Sequence, residues 1–147
     1  MTPSAIDLKI VGDRLEIVEA AVGELRALPA ADLVTFTGDR RNIWAADALL
    51  RRAIETLFDT GRHLLAKAHG RGGLEYREVA RLAAELGLVP PDLAEPLMKI
   101  AGFRNRLANY YDEVTPAELF AVVNSRLGEL SSLVEALRRS AARVARP

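Results

Sequence analysis

Residues 115–144 read Thr115-Pro116-Ala117-Glu118-Leu119-Phe120-Ala121-Val122-Val123-Asn124-Ser125-Arg126-Leu127-Gly128-Glu129-Leu130, followed by SSLVEALRRSAARV. Thr115 is placed to cap a helix, Pro116 presets its first backbone angle, and Glu118 completes the reciprocal cap three residues on. Leu119, Val123, Leu127, Leu130, Val134, Leu137 and Val144 then recur at helical spacing, which predicts one helix of seven to eight turns. Arg138, Arg139, Arg143 and Arg146 gather at its C-terminal end, where the helix dipole favours cations. A stripe this long has to bury against other helices, and this sets the fold class.

The same spacing occurs upstream. Leu8, Val11, Leu15, Val18, Val22 and Leu25 form a first stripe, with Ser4 as candidate cap and Pro29 closing the segment. Ile43, Leu50, Ile54, Leu57, Leu64 and Leu65 form a second, starting after Thr37 or Asp39 and ending before Gly70. Leu74, Tyr76, Val79, Leu82, Ala83 and Leu86 predict a shorter third helix, closed by Gly87 in the left-handed conformation. A fourth opens near Asp92 and tolerates Pro96 within its first turn. No alternating run bounded by hairpin turns appears, so the expectation is an all-α bundle of five helices, the first, second and fifth long, in one domain over residues 1–147.

Composition narrows the chemistry. The 147 residues hold 20 basic and 20 acidic side chains and no cysteine, which excludes a thiolate metal site, a thiol nucleophile and a disulfide framework. The two histidines, His63 and His69, are six apart and do not make a zinc-hydrolase helix motif. The glycines Gly70, Gly72 and Gly73 follow no strand and precede no Lys-Ser/Thr, so no phosphate loop forms. Neither metal nor cofactor is expected, and with no long apolar run or secretion signal the reading is a cytoplasmic protein without membrane contact. Only Lys9, Lys67 and Lys99 are lysine, leaving 17 of the 20 basic residues as arginine, a side chain whose planar fork suits phosphate, although codon preference explains the excess better because the excess carries no positional information. Glu55, Asp59 and His63 share a helical face and suggest a carboxylate holding an imidazole, more readily as a structural pair than as a catalytic one. Arg40, Arg41, Arg51 and Arg52 form a basic flank on the second helix; it reads as a solvated face or, beside a cleft, as phosphate contacts.

Phe103-Arg104-Asn105-Arg106-Leu107-Ala108-Asn109-Tyr110-Tyr111-Asp112 is polar and aromatic where a bundle helix would stay aliphatic. Here the chain resembles the HEPN ribonucleases and, within them, the HepT-like toxins of nucleotidyltransferase-paired toxin–antitoxin systems. That branch carries Arg-Asn, with a histidine and then a tyrosine following the arginine at fixed spacing. Arg104 and Asn105 match the pair, Tyr111 matches the tyrosine, and Asn109 stands at the histidine position. Arg52-Ala53-Ile54-Glu55, Asp59 and His63, then Tyr76-Arg77-Glu78, then Met98 through Asn105 match further parts of the family in order.

The resemblance implies a homodimer in which two motifs face each other across a cleft and cut RNA without metal. It also implies a cognate MNT-type nucleotidyltransferase antitoxin that attaches AMP at the position of Tyr111. Arg104 and position 109 are then the catalytic candidates, and Asn105, Arg106, Arg40 and Arg41 the substrate-binding ones. Arginine stabilises a phosphorane, whereas asparagine does not titrate as histidine does, so cleavage is expected to be impaired or absent. Asn109 reads as an inactivating change or as a natural variant that cuts slowly. On an unbroken helix Arg104 and Asn109 lie about 140° apart, so either the helix loosens or the site forms across the dimer; Arg104 and Tyr111 come within about 20°. Two other readings are a HEPN module that binds RNA or a partner without catalysis, and a helical dimer with no nucleic-acid role.

Overall fold

The computed structural model describes residues 6–109 and 114–145. Seven α-helices appear among them: α1 Leu8–Arg26, α2 Leu33–Thr37, α3 Arg40–His69, α4 Tyr76–Glu85, α5 Ala94–Ala108, α6 Pro116–Ser125 and α7 Leu127–Val144, with a 3₁₀ turn at Pro91–Leu93 ahead of α5. The described residues contain no strand, and none of their helices is long and apolar enough to cross a membrane.

Helix α3 is the spine. Its 30 residues pack α1 along one side while α4, α5, α6 and α7 meet it from the others, so that Leu50, Ile54, Leu57, Phe58, Leu64 and Leu65 are all buried. Burial of each such side chain is worth roughly 1.5–3 kcal/mol, which is why the stripe rather than local propensity fixes the helix. Asp39 caps α3 by accepting from the Arg41 N–H at 2.9 Å. Helix α1 covers this spine with Val11, Leu15, Val18, Val22 and Leu25, all buried, while Leu8 stays half exposed.

Several expectations change. Asp7, rather than Ser4, caps α1, accepting from the Lys9 and Ile10 N–H groups; Ser4 lies outside the described residues. The segment after Pro29 is more than a connection, because Asp32 caps the short α2 and its Phe36 is fully buried. Leu74 is buried but precedes α4, and Leu86 is its exposed C-terminal cap; Gly87 does adopt φ +75°. Pro96 is the third residue of α5, within the first turn.

The largest correction concerns residues 115–144. The Thr115–Glu118 cap forms as expected, but the helix breaks at Arg126 (φ −118°, ψ −6°) into α6 and α7. The local cause is the Asn124-Ser125-Arg126-Leu127-Gly128 sequence. Asn124 and Ser125 turn their side chains back to the carbonyls of Phe120 and Ala121, and Gly128 is a weak helix former. The apolar stripe runs across the break because Leu119, Val123, Leu127, Leu130, Val134 and Leu137 remain buried on both sides of it.

Candidate active site

Arg104 projects from the last turns of α5 toward α3 and α4. Its Nη2 donates to Glu55 Oε1 at 3.3 Å, and its guanidinium carbon lies 4.1 Å from the centre of the Tyr76 ring. Tyr76 is the first residue of α4, whose start is fixed by Glu78 accepting from the Glu75 N–H. A second guanidinium, Arg62 of α3, lies 4.6 Å from the same ring and is held by the Leu74 carbonyl at 2.8 Å and by Asp59 at 3.2 Å. Phe58 meets the ring edge-on at 5.0 Å. One phenol ring thus carries two arginines, an arrangement worth about 1–2 kcal/mol per desolvated contact, and it fixes the plane of the Arg104 fork.

Burial, offset in part by Arg104, pushes the Tyr76 phenol above its ordinary value, so it is neutral at physiological pH. Arg104 Nε is buried and has no hydrogen-bond partner. An open cavity of about 380 Å³ adjoins it, lined by Arg62, Glu75, Tyr76, Arg77, Arg104 and Asn105. Three arginines around an open volume present a permanently charged surface of forked donors suited to phosphate oxygens. Asn105 also lines that cavity.

The other candidates fall elsewhere. Asn109 ends α5 in an extended conformation (φ −108°, ψ 112°), its N–H bonded to the Arg106 carbonyl at 3.2 Å. The angle calculated for an unbroken helix therefore does not apply: within one chain the helix stops, which is the loosening that spacing allowed. Tyr111, expected on the Arg104 face, lies outside the described residues. Arg106 forks onto Glu118, with Nη1 to Oε2 at 2.6 Å and Nη2 to Oε1 at 3.0 Å. That pair, with the Thr115 cap, drops the Glu118 carboxyl to about 2.

Arg40 and Arg41 open α3, Arg41 clasped by Asp39 at 2.8 Å. They precede Glu55 by about 22 Å of helix, so a single chain does not bring them to Arg104. Glu55 and Asp59 are engaged by Arg104 and Arg62, not by His63. His63 Nε2 is buried without a partner, and burial, together with Arg14 and Lys67, holds its pKa below the usual value. The expected carboxylate–imidazole pair does not form. The sequence places Tyr76 in an apolar stripe and Tyr76-Arg77-Glu78 in a family match without giving either a site role, and it does not single out Arg62. The available signal was an aromatic between Glu75 and Arg77 at a helix start, where an aliphatic side chain would satisfy the core equally well.

These features belong to a class of all-α proteins with an arginine-centred polar motif at the end of a bundle helix. The family model described as Ribonuclease HepT-like matches residues 18–137, and the chain belongs to that HepT-like family. A tRNA nuclease HepT of Aphanizomenon flos-aquae (strain 2012/KM1/D3) is 25% identical over 125 residues, covering 83% of each chain. The fold matches a tri-AMPylated Shewanella oneidensis HEPN toxin, solved in complex with its MNT antitoxin, at TM-score 0.79 and 18% identity, over 88% of this chain and 97% of the other. A mutant MntA–HpeT toxin–antitoxin complex matches at TM-score 0.75 and 17% identity, over 89% and 98%.

Proposed function

We propose that this chain is the toxin component of a nucleotidyltransferase-paired system, built as a metal-independent endoribonuclease and held at low or no activity by Asn109. The observation that carries the reading is Arg104: it occupies the family motif, stacks on Tyr76, and keeps a buried donor unused beside an open cavity. The chemistry assigned to the site is attack of an RNA 2′-hydroxyl on the adjacent phosphorus. Arg104 stabilises the charge gathering on the phosphorane, and a proton passes to and from a group at position 109. An asparagine amide can orient a phosphate or a hydroxyl but takes up no proton near neutrality. Losing such a group typically costs about 100- to 10,000-fold in rate.

The site is composite in this reading. Two copies of the chain bring their α5 ends together, and the Arg40–Arg41 end of α3 serves as a non-specific phosphate contact for the strand. The curated relative's name favours tRNA as the RNA. The AMP-bearing, antitoxin-bound structural relative supports a partner that silences the toxin by attaching AMP at Tyr111.

The test compares the protein and its Asn109→His variant on tRNA and single-stranded RNA in excess EDTA, with Arg104→Ala in the histidine background as the control for contaminating nuclease. Cleavage by Asn109→His that disappears with Arg104→Ala is the expected result. Absence of cleavage by every form refutes the ribonuclease reading and leaves a HEPN module that binds RNA without cutting it.

A further inference from the structure

A second cavity, of about 420 Å³, lies on the other side of Arg77 from the Arg104 site. Its lining combines apolar Ile54, Ile100, Phe103, Val122 and Leu130 with the cations Arg77, Lys99, Arg106 and Arg126. Its volume falls within the range of small-molecule sites. Gly102 withholds a side chain from α5 at this lining, and an added Cβ there would sit 3.7 Å from Arg77 Nη2, while Arg126 at the α6–α7 break lines the cavity as well.

The cavity holds one unsatisfied group. Glu129 Oε2 is buried with no hydrogen-bond partner, while Oε1 faces Arg126 Nε at 3.4 Å. Glu129 lines the cavity and its side chain keeps a quarter of its exposure, so the carboxylate stands at the cavity wall. Lys99, Arg106 and Arg126 are each paired with a glutamate, whereas Arg77 has no ion pair among the described residues. Arg77 lines both cavities, so the spare charge sits between a phosphate-suited site on one side and an apolar slot with a spare acceptor on the other.

A ligand that satisfies all of this has a flat apolar body, an N–H donor on one edge and an anionic group at the other end. We propose that the Glu129 cavity binds an amino-bearing nucleobase, with Arg77 on the phosphate of the same nucleotide. Adenine, guanine and cytosine present an exocyclic amine to Glu129. Uracil offers one N–H between two carbonyls, which a carboxylate repels. The nucleotide is either free or an unstacked residue of an RNA strand. The site goes beyond the cleavage reading by giving a base a place beside the phosphate, and its occupancy does not require turnover.

The test is calorimetric titration of the full-length protein with AMP, GMP, CMP and UMP, and with four-residue single-stranded oligo(A) and oligo(U). The expected result is binding of AMP, GMP and CMP, or of oligo(A) alone, with the uracil counterpart weaker by about tenfold, the size of one hydrogen bond to a charged group. Binding of free nucleotide identifies a mononucleotide site, and binding of oligo(A) alone a strand subsite. Gly102→Leu, which fills the cavity while improving helix propensity, abolishes binding with the thermal midpoint retained. Glu129→Leu removes the preference over uracil, and Glu129→Gln, whose neutral amide also donates to the uracil carbonyls, weakens it. Binding that is indifferent to Gly102→Leu, equal affinity for uracil, or no binding by any probe overturns the proposal. The readout is binding, so an inactive cleavage site leaves it unaffected.

Discussion

Arg104 and Arg106 sit two residues apart on the same helix, inside the same motif, and their surroundings differ. Arg106 is saturated: both terminal nitrogens fork onto Glu118, whose carboxyl also caps α6 through Thr115. Arg104 makes one long bond to Glu55, stacks on a ring, and keeps a buried N–H without a partner. A saturated arginine ties α5 to α6 across residues 110–113. An arginine held by its plane, with donors to spare, is oriented without being consumed, which is the state a phosphate-binding group requires. Motif membership alone does not separate the two roles; the carboxylate facing each one does.

The comparison is broken most sharply at Arg104. In the Asn109→His background, Arg104→Lys keeps the charge but loses the fork and the stack, and single-turnover cleavage falls by about 10²–10³-fold. Tyr76 tests the plane. Tyr76→Leu removes the platform under Arg104 and Arg62 and the edge contact from Phe58, lowering stability by about 1–2 kcal/mol, whereas Tyr76→Phe changes it by less than about 0.5, as chemical denaturation of both variants will show.

Glu118 tests the saturated arginine. Its carboxyl falls from an ordinary 4.5 to about 2, so its contribution is present above pH 4.5 and lost as the pH drops through 2. More than a third of this side chain is exposed, and solvent screening reduces the contribution to about 1 kcal/mol. Glu118→Gln lowers the thermal midpoint at pH 7 by about 2–4 °C, and the gap to the unaltered protein closes toward pH 2. The smallest effect is at Arg40 and Arg41. Replacing either with alanine reduces the salt slope of RNA binding by about one, without changing which RNA is preferred.

The bundle was legible because its signals are local or periodic. The Thr115-Pro116-Glu118 cap, the Gly87 closure and the stripes of α1 and α3 each follow from a few residues and one repeat length. Two features escaped. Asp32-Leu33-Val34 builds a helix too short to show a period, and only Phe36 in the core gives α2 a reason to form. The break at Arg126 is invisible to a stripe that stays buried on both sides of it. The end of α5 at Asn109 was one of two alternatives that spacing left open, and its extended backbone decides between them within one chain.

Of the residues around the candidate cavity, the motif points to Arg104 and Asn105, which both line it. Tyr76, Arg62 and Arg77 come from elements 27 or more positions earlier in the chain, and no periodicity links a helix start to the end of another helix. A tertiary contact of that kind is read from packing alone.

The most direct measurement is the pH profile of RNA cleavage by Asn109→His, taken in EDTA beside the unaltered protein. A restored imidazole working with Arg104 predicts a rate that bends at an apparent pKa near 6.5 and exceeds that of the asparagine form by at least about 100-fold at its optimum. Equal rates for the two proteins, with the same pH dependence, contradict the assignment of position 109 as the missing proton carrier.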